Sequence, residues 1–131
     1  MNLIGFIKEY NNIQEASNFK AVTGETCNDP LLISKTINYL NNGTLVLAWM
    51  GYFFDLEDSN IIAPDCYYTD GVYVWPAYFS YYLKKNPNYI IEKEFLSYLS
   101  EKNFQCRELK DLEKNKLEKK LSKKLNPIAE V

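Results

Sequence analysis

An Asp-Gly pair, Asp70-Gly71, constrains this chain more than any other feature. Cys66-Tyr67-Tyr68-Thr69 precedes it and Val72-Tyr73-Val74-Trp75 follows, both rich in β-formers. Asp-Gly accepts the positive backbone angles of a tight hairpin turn, so the pattern predicts two antiparallel strands. Upstream, Thr44 to Tyr52 is nearly all apolar, as expected of a central strand covered on both faces. Phe53-Phe54-Asp55-Leu56 extends it or begins another strand. Asp58-Ser59-Asn60 reads as a turn before Ile61-Ile62-Ala63, and Pro64-Asp65 as a further break. These signals predict a small antiparallel β-meander of three or four strands over residues 44–75.

Helical patterns flank the meander. Leu3, Ile4, Phe6, Ile7 and Tyr10 have the spacing of a short amphipathic helix. Asp29 can cap a second helix, with Pro30 in its first turn and Leu31, Leu32, Ile33, Ile37 and Leu40 as an apolar stripe. Asn41-Asn42-Gly43 stops it. Trp75-Pro76 switches the period into a helix over 77–85, with Tyr78, Tyr81 and Tyr82 on one side and Phe79 with Leu83 beside them. Another helix is expected at about 92–102, then a short strand or connector at Phe104-Gln105-Cys106. A charged helix follows from Arg107 to Leu125, carrying Leu109, Leu112, Leu117, Leu121 and Leu125, and Pro127 ends it. The expected fold class is α+β. Residues 1–106 form one domain, and 107–131 form a basic amphipathic tail docked on it.

The 131 residues suit a single core that needs no disulfide. Cys27, Cys66 and Cys106 are odd in number and widely spaced, consistent with reduced thiols in the cytoplasm. No secretory leader is read, and the longest apolar run is far short of the ~20 residues that span a bilayer. The expectation is therefore a soluble cytoplasmic protein without a membrane partner. Net charge is −6 over residues 1–101 and +4 over 102–131. The acidic body argues against nucleic acid as a direct ligand and suits a basic partner. The tail reads as a solvated, salt-bridged helix docked by its leucines, with membrane or nucleic-acid contact as the weaker alternative.

The chain contains no histidine. Ser-His-Asp and Cys-His arrangements are therefore excluded, as is the commonest zinc ligand. The five glycines are scattered and make no phosphate loop. No cofactor or metal is expected. Paired carboxylates are the one enzymatic option, drawn from Asp55, Glu57, Asp58, Asp65 and Asp70. More informative is an aromatic band of nine residues between Tyr67 and Tyr89. A helix aromatic around most of its girth is not expected to bury every ring in so small a domain. Some tyrosines should reach the surface beside the acids. This makes Asp55, Glu57, Asp58, Asp65, Tyr67, Tyr68, Asp70, Tyr73, Tyr78 and Tyr81 the candidate partner-binding residues, with core packing as the alternative for the aromatics.

Residues 37–44 (Ile-Asn-Tyr-Leu-Asn-Asn-Gly-Thr), Asp55, the run Thr69-Asp70-Gly71-Val72-Tyr73-Val74-Trp75-Pro76, Tyr81-Tyr82 and Phe95-Leu96 form a longer pattern. It resembles small bacterial immunity proteins of polymorphic and contact-dependent growth-inhibition toxin systems, over about residues 36–104. Tyr73 stands where that pattern has tryptophan, and the basic tail lies outside it. The resemblance implies a cytosolic, non-enzymatic inhibitor that occludes the active site of a cognate toxin domain. Many such toxins are nucleases with basic clefts, for which the acids would stand in for phosphates. A monomer or weak dimer is expected. The alternatives are an intracellular regulatory module with another protein partner, its tail used to dimerise, and an enzyme built on the carboxylates.

Overall fold

A computed structural model describes residues 1–126. It is an α+β fold with four helices on a four-stranded mixed sheet. The strands are β1 (Asn2–Leu3), β2 (Thr44–Phe54), β3 (Ile61–Thr69) and β4 (Tyr73–Pro76), in the spatial order β1-β4-β3-β2. The helices are α1 (Pro30–Asn41), α2 (Tyr78–Lys85), α3 (Lys93–Glu101) and α4 (Asp111–Leu125). The expected end of the tail helix at Pro127 lies outside the described residues.

The antiparallel meander is present as β2-β3-β4, with Thr44 opposite Thr69 and Thr69 opposite Val74. Its turn differs from a two-residue hairpin. Gly71 alone takes a positive φ, +100°, while Asp70 folds the loop through its carboxylate, accepting the Val72 and Tyr73 N–H groups at 2.9 and 2.8 Å. Strand β3 runs unbroken through Pro64-Asp65. Pro64 is tolerated because the facing part of β2 is bulged: between Ala48, opposite Cys66, and Tyr52, opposite Pro64, three residues of β2 face one of β3.

The N-terminal segment is not a helix. Asn2–Leu3 pairs parallel to β4, and Gly5, at φ +78°, turns the chain away. Ile4, Phe6 and Ile7 are all buried, enclosed by the fold instead of lying along one helical face. Strand β2 also departs from expectation, because it lies at the sheet edge. Val46, Leu47 and Phe53 are buried, whereas residues 48–52 are all exposed. Its continuous hydrophobicity reflects an exposed apolar edge, not a strand covered on both faces.

Helix α1 begins as its sequence dictates, with Asp29 accepting the Leu31 N–H at 3.1 Å and Pro30 in the first turn. Leu31 is exposed, and Thr36, Tyr39 and Leu40 form the buried side. Trp75 is buried against this helix and donates its indole N–H to the Leu40 carbonyl at 3.2 Å. Helix α4 packs on β2 and buries Leu121 in the common core, while Leu109 just before it is also buried. Leu112, expected on the docking stripe, faces solvent. Residues 104–106 form a connector.

Candidate functional site

Two buried aspartates organise the molecule in the same way. Asp55 closes the turn after β2. One carboxylate oxygen accepts the Glu57 and Asp58 N–H groups at 2.7 and 3.2 Å, and the other accepts the Tyr81 hydroxyl and the Lys85 ammonium at 2.5 and 2.7 Å. Asp70 closes the turn after β3. One oxygen takes the Val72 and Tyr73 N–H groups, and the other the hydroxyls of Tyr39 and Tyr98, with Lys102 at 3.8 Å. In each case a tyrosine and a lysine four residues on, at the C-terminal end of a helix, hold the acid. Such pairs share one helix face.

These contacts fix the charge states. Burial alone would raise both carboxyls, but the hydrogen bonds outweigh it and hold both below the ordinary aspartate value. The Asp55 hydrogen bond and, secondarily, burial push the Tyr81 hydroxyl up to about 12. Burial and the Asp70 contact likewise raise Tyr39 and Tyr98, so these phenols stay protonated as donors.

The fold therefore divides the ten candidate residues. Asp55 and Asp70 are buried turn locks, and their oxygens are occupied. Tyr67 and Tyr78 are core residues. Tyr78 receives the Ile7 N–H and donates to Asn11 Oδ1, both at 2.8 Å, while Tyr67 receives Asn11 Nδ2 and donates to Asp65, both at 2.9 Å. These four face inward and are closed to a partner. Of the rings on α2, which was expected to leave some tyrosines at the surface, only Tyr81 is partly open. Tyr78, Phe79, Tyr82 and Leu83 are all buried, because the N-terminal segment and the β2–β3 turn supply partners for the hydroxyls. Tyr82, for example, meets Tyr10 at 2.6 Å and receives the Leu56 N–H at 3.1 Å.

Asp65, Tyr68, Tyr73 and Tyr81 are half-buried, and of the ten only Glu57 and Asp58 are exposed, with Lys85 3.3 Å from Glu57. Those two acids sit at the tip of the β2–β3 hairpin, beside apolar side chains not singled out as site residues from the sequence. Tyr52 is 58% exposed and Ile61 63%, with Phe54 and Leu56 between them also open. The turn itself is well built. The Asp55 N–H donates to the Asn60 carbonyl at 2.7 Å, the Asn60 N–H to the Asp58 carboxylate at 2.9 Å, and Ser59 takes φ +62°. The result is an ordered tip with aromatic, aliphatic and acidic groups side by side.

No protein-family model, curated protein or solved structure matches this chain. Among the described residues, no group of three potential metal-binding side chains is placed to hold an ion, and no helix is long and apolar enough to cross a membrane.

Proposed function

We propose that this chain is an immunity protein that binds a cognate bacterial toxin domain and neutralises it by covering its active site, in the cytoplasm of the producing cell. One observation carries this reading. The β2–β3 tip exposes Tyr52, Phe54, Leu56 and Ile61 beside the carboxylates of Glu57 and Asp58, on a turn fastened to the core through Asp55. Both carboxylates reach solvent, although Lys85 lies 3.3 Å from Glu57 and the Asn60 N–H donates to Asp58. Aromatic and aliphatic anchors supply buried area in a complex, and acids beside them complement a basic cleft and speed capture. The clamp on Asp55 holds the turn in one shape before the partner arrives, which lowers the ordering cost of binding.

A nuclease with a basic cleft is the partner class that this charge suits best. The carboxylate-enzyme reading draws no support from Asp55 or Asp70, since each is engaged by backbone N–H groups, tyrosine and lysine. The test is co-purification with the toxin domain encoded by the neighbouring gene, followed by rescue of growth in cells that express it. Formation of a stoichiometric complex and rescue support the proposal, whereas absence of both refutes it.

A further inference from the structure

Helix α4 carries a surface that neither the core nor the hairpin tip uses. Acids alternate with lysines along its sequence, but a helical turn of about 100° per residue separates the two. Lys116, Lys119, Lys120 and Lys123 share an arc of about 100° that faces away from the buried Leu121, and all four are exposed. Asp111 and Glu118 fall outside that arc. Glu113, at its border, is neutralised by Arg107, which donates to both carboxylate oxygens at 2.9 and 2.8 Å. Among the described residues, none of the four lysines enters an ion pair.

Apolar groups accompany this basic stripe. Leu112, 72% exposed, lies within the same arc one turn before Lys116. Trp49, on the edge strand β2, lines a groove with Lys119 and Lys123, and Met50 beside it stands 99% exposed on the bulge. Lysines interleaved with exposed leucine, tryptophan and methionine suit a layer of lipid headgroups above acyl chains. A nucleic-acid backbone would draw on the lysines alone and favours arginine forks, whereas Arg107, the chain's single arginine, is held by Glu113. The acidic body also suits a planar partner. Only one face of the molecule then comes within the ~8 Å over which charges act at physiological salt.

We propose that α4 and the β2 bulge form a face for peripheral contact with an anionic phospholipid bilayer. Lys116, Lys119, Lys120 and Lys123 meet the headgroups, while Leu112, Trp49 and Met50 enter the interface. The apolar side of α4 is occupied by the core, so the helix lies on the bilayer surface instead of sinking into it. Membrane contact, the weaker alternative in the sequence, becomes the stronger one once the helical phase is known. The proposal is independent of the toxin reading.

Flotation of the full chain with vesicles tests it, using phosphatidylcholine alone and an equal mixture with phosphatidylglycerol. Affinity for the anionic vesicles should be higher by about tenfold or more, and should fall as salt rises. Trp75 is buried, so a blue shift of emission on binding reports Trp49, and Trp49→Phe should abolish that shift. Replacing Lys116, Lys119, Lys120 and Lys123 with glutamine should weaken binding about tenfold or more. The same replacement at Lys8, Lys20, Lys84 and Lys93, exposed on other parts of the chain, should leave it nearly unchanged. Met50→Asp should weaken it about threefold or more with the far-ultraviolet spectrum kept. No binding to anionic vesicles, equal affinity for the two lipid mixtures, or binding without the emission shift would each overturn the proposal. So would an equal loss in both lysine sets, undiminished binding by Met50→Asp, or capture of a DNA duplex in preference to vesicles.

Discussion

Tyr98 donates its hydroxyl to Asp70 at 2.7 Å from a helix position four residues ahead of Lys102, which approaches the same carboxylate oxygen. Tyr81 and Lys85 treat Asp55 in the same manner. Two sequence-distant turns are thus tied to two helix C-termini by one device. The strands of the meander are thereby held to α2 and α3, and the tip beyond Asp55 is held rigid.

Replacing Asp70 with alanine should destabilise the fold by about 3 kcal/mol, since two part-buried N–H groups and two phenols lose their acceptor. Asp70→Asn should cost less, because an amide oxygen retains part of the pattern. Urea denaturation with a common slope measures both. An alanine variant within the error of wild type would contradict the assignment of Asp70 as a structural lock.

Acid should act through the same pair. Both carboxyls titrate below the ordinary aspartate value of 3.8, so their contribution is complete above about pH 4 and is lost as pH falls further. The urea midpoint should drop steeply below about pH 4, and the drop should be shallower in Asp55→Asn and Asp70→Asn. Parallel profiles for the three proteins would argue against the clamps.

The meander, the start of α1 and the α2 boundary were legible in the sequence, because Asp70-Gly71, Asp29-Pro30 and Trp75-Pro76 encode local geometry. Tertiary arrangement was less legible. Strand β2 reads as central because hydrophobicity reports apolar surface, not which partner covers it, and nothing within Thr44 to Phe54 reveals that Asn2–Leu3 takes the far edge beside β4 instead. Gly51 was the available hint of a bulge. Asp55 and Asp70 look like surface turn acids until Tyr39, Tyr81, Tyr98 and two lysines arrive from distant positions. The aromatic band between Tyr67 and Tyr89 is plain in the sequence, but phenols paired with one another and with backbone groups can be buried at little cost.

Tyr78→Phe should cost about 2 kcal/mol, because the Ile7 N–H and Asn11 Oδ1 lose their buried partner while the ring volume is kept. Thermal unfolding provides the measurement. An unchanged midpoint would mean that the N-terminal segment is not fastened through this hydroxyl.

At the bulge, neighbouring positions should behave oppositely. Gly51 has φ +105° and open space where a Cβ would stand, so Gly51→Val should lose about 1–3 kcal/mol through backbone strain alone. Met50→Ala, beside it, should stay within about 0.5 kcal/mol of wild type in dilute solution. Equal effects at both positions, measured by denaturant unfolding, would be inconsistent with the bulge geometry.

Binding of the cognate toxin domain provides the most direct test of the central claim, measured as association rate and affinity for the wild type and for Glu57→Gln/Asp58→Asn and Phe54→Ala. The charge variant should associate about tenfold more slowly at low salt, with a flattened salt dependence. Phe54→Ala should dissociate faster, and neither variant should protect growth as well as wild type. Rates and protection unchanged in both variants would remove the β2–β3 tip as the inhibitory surface.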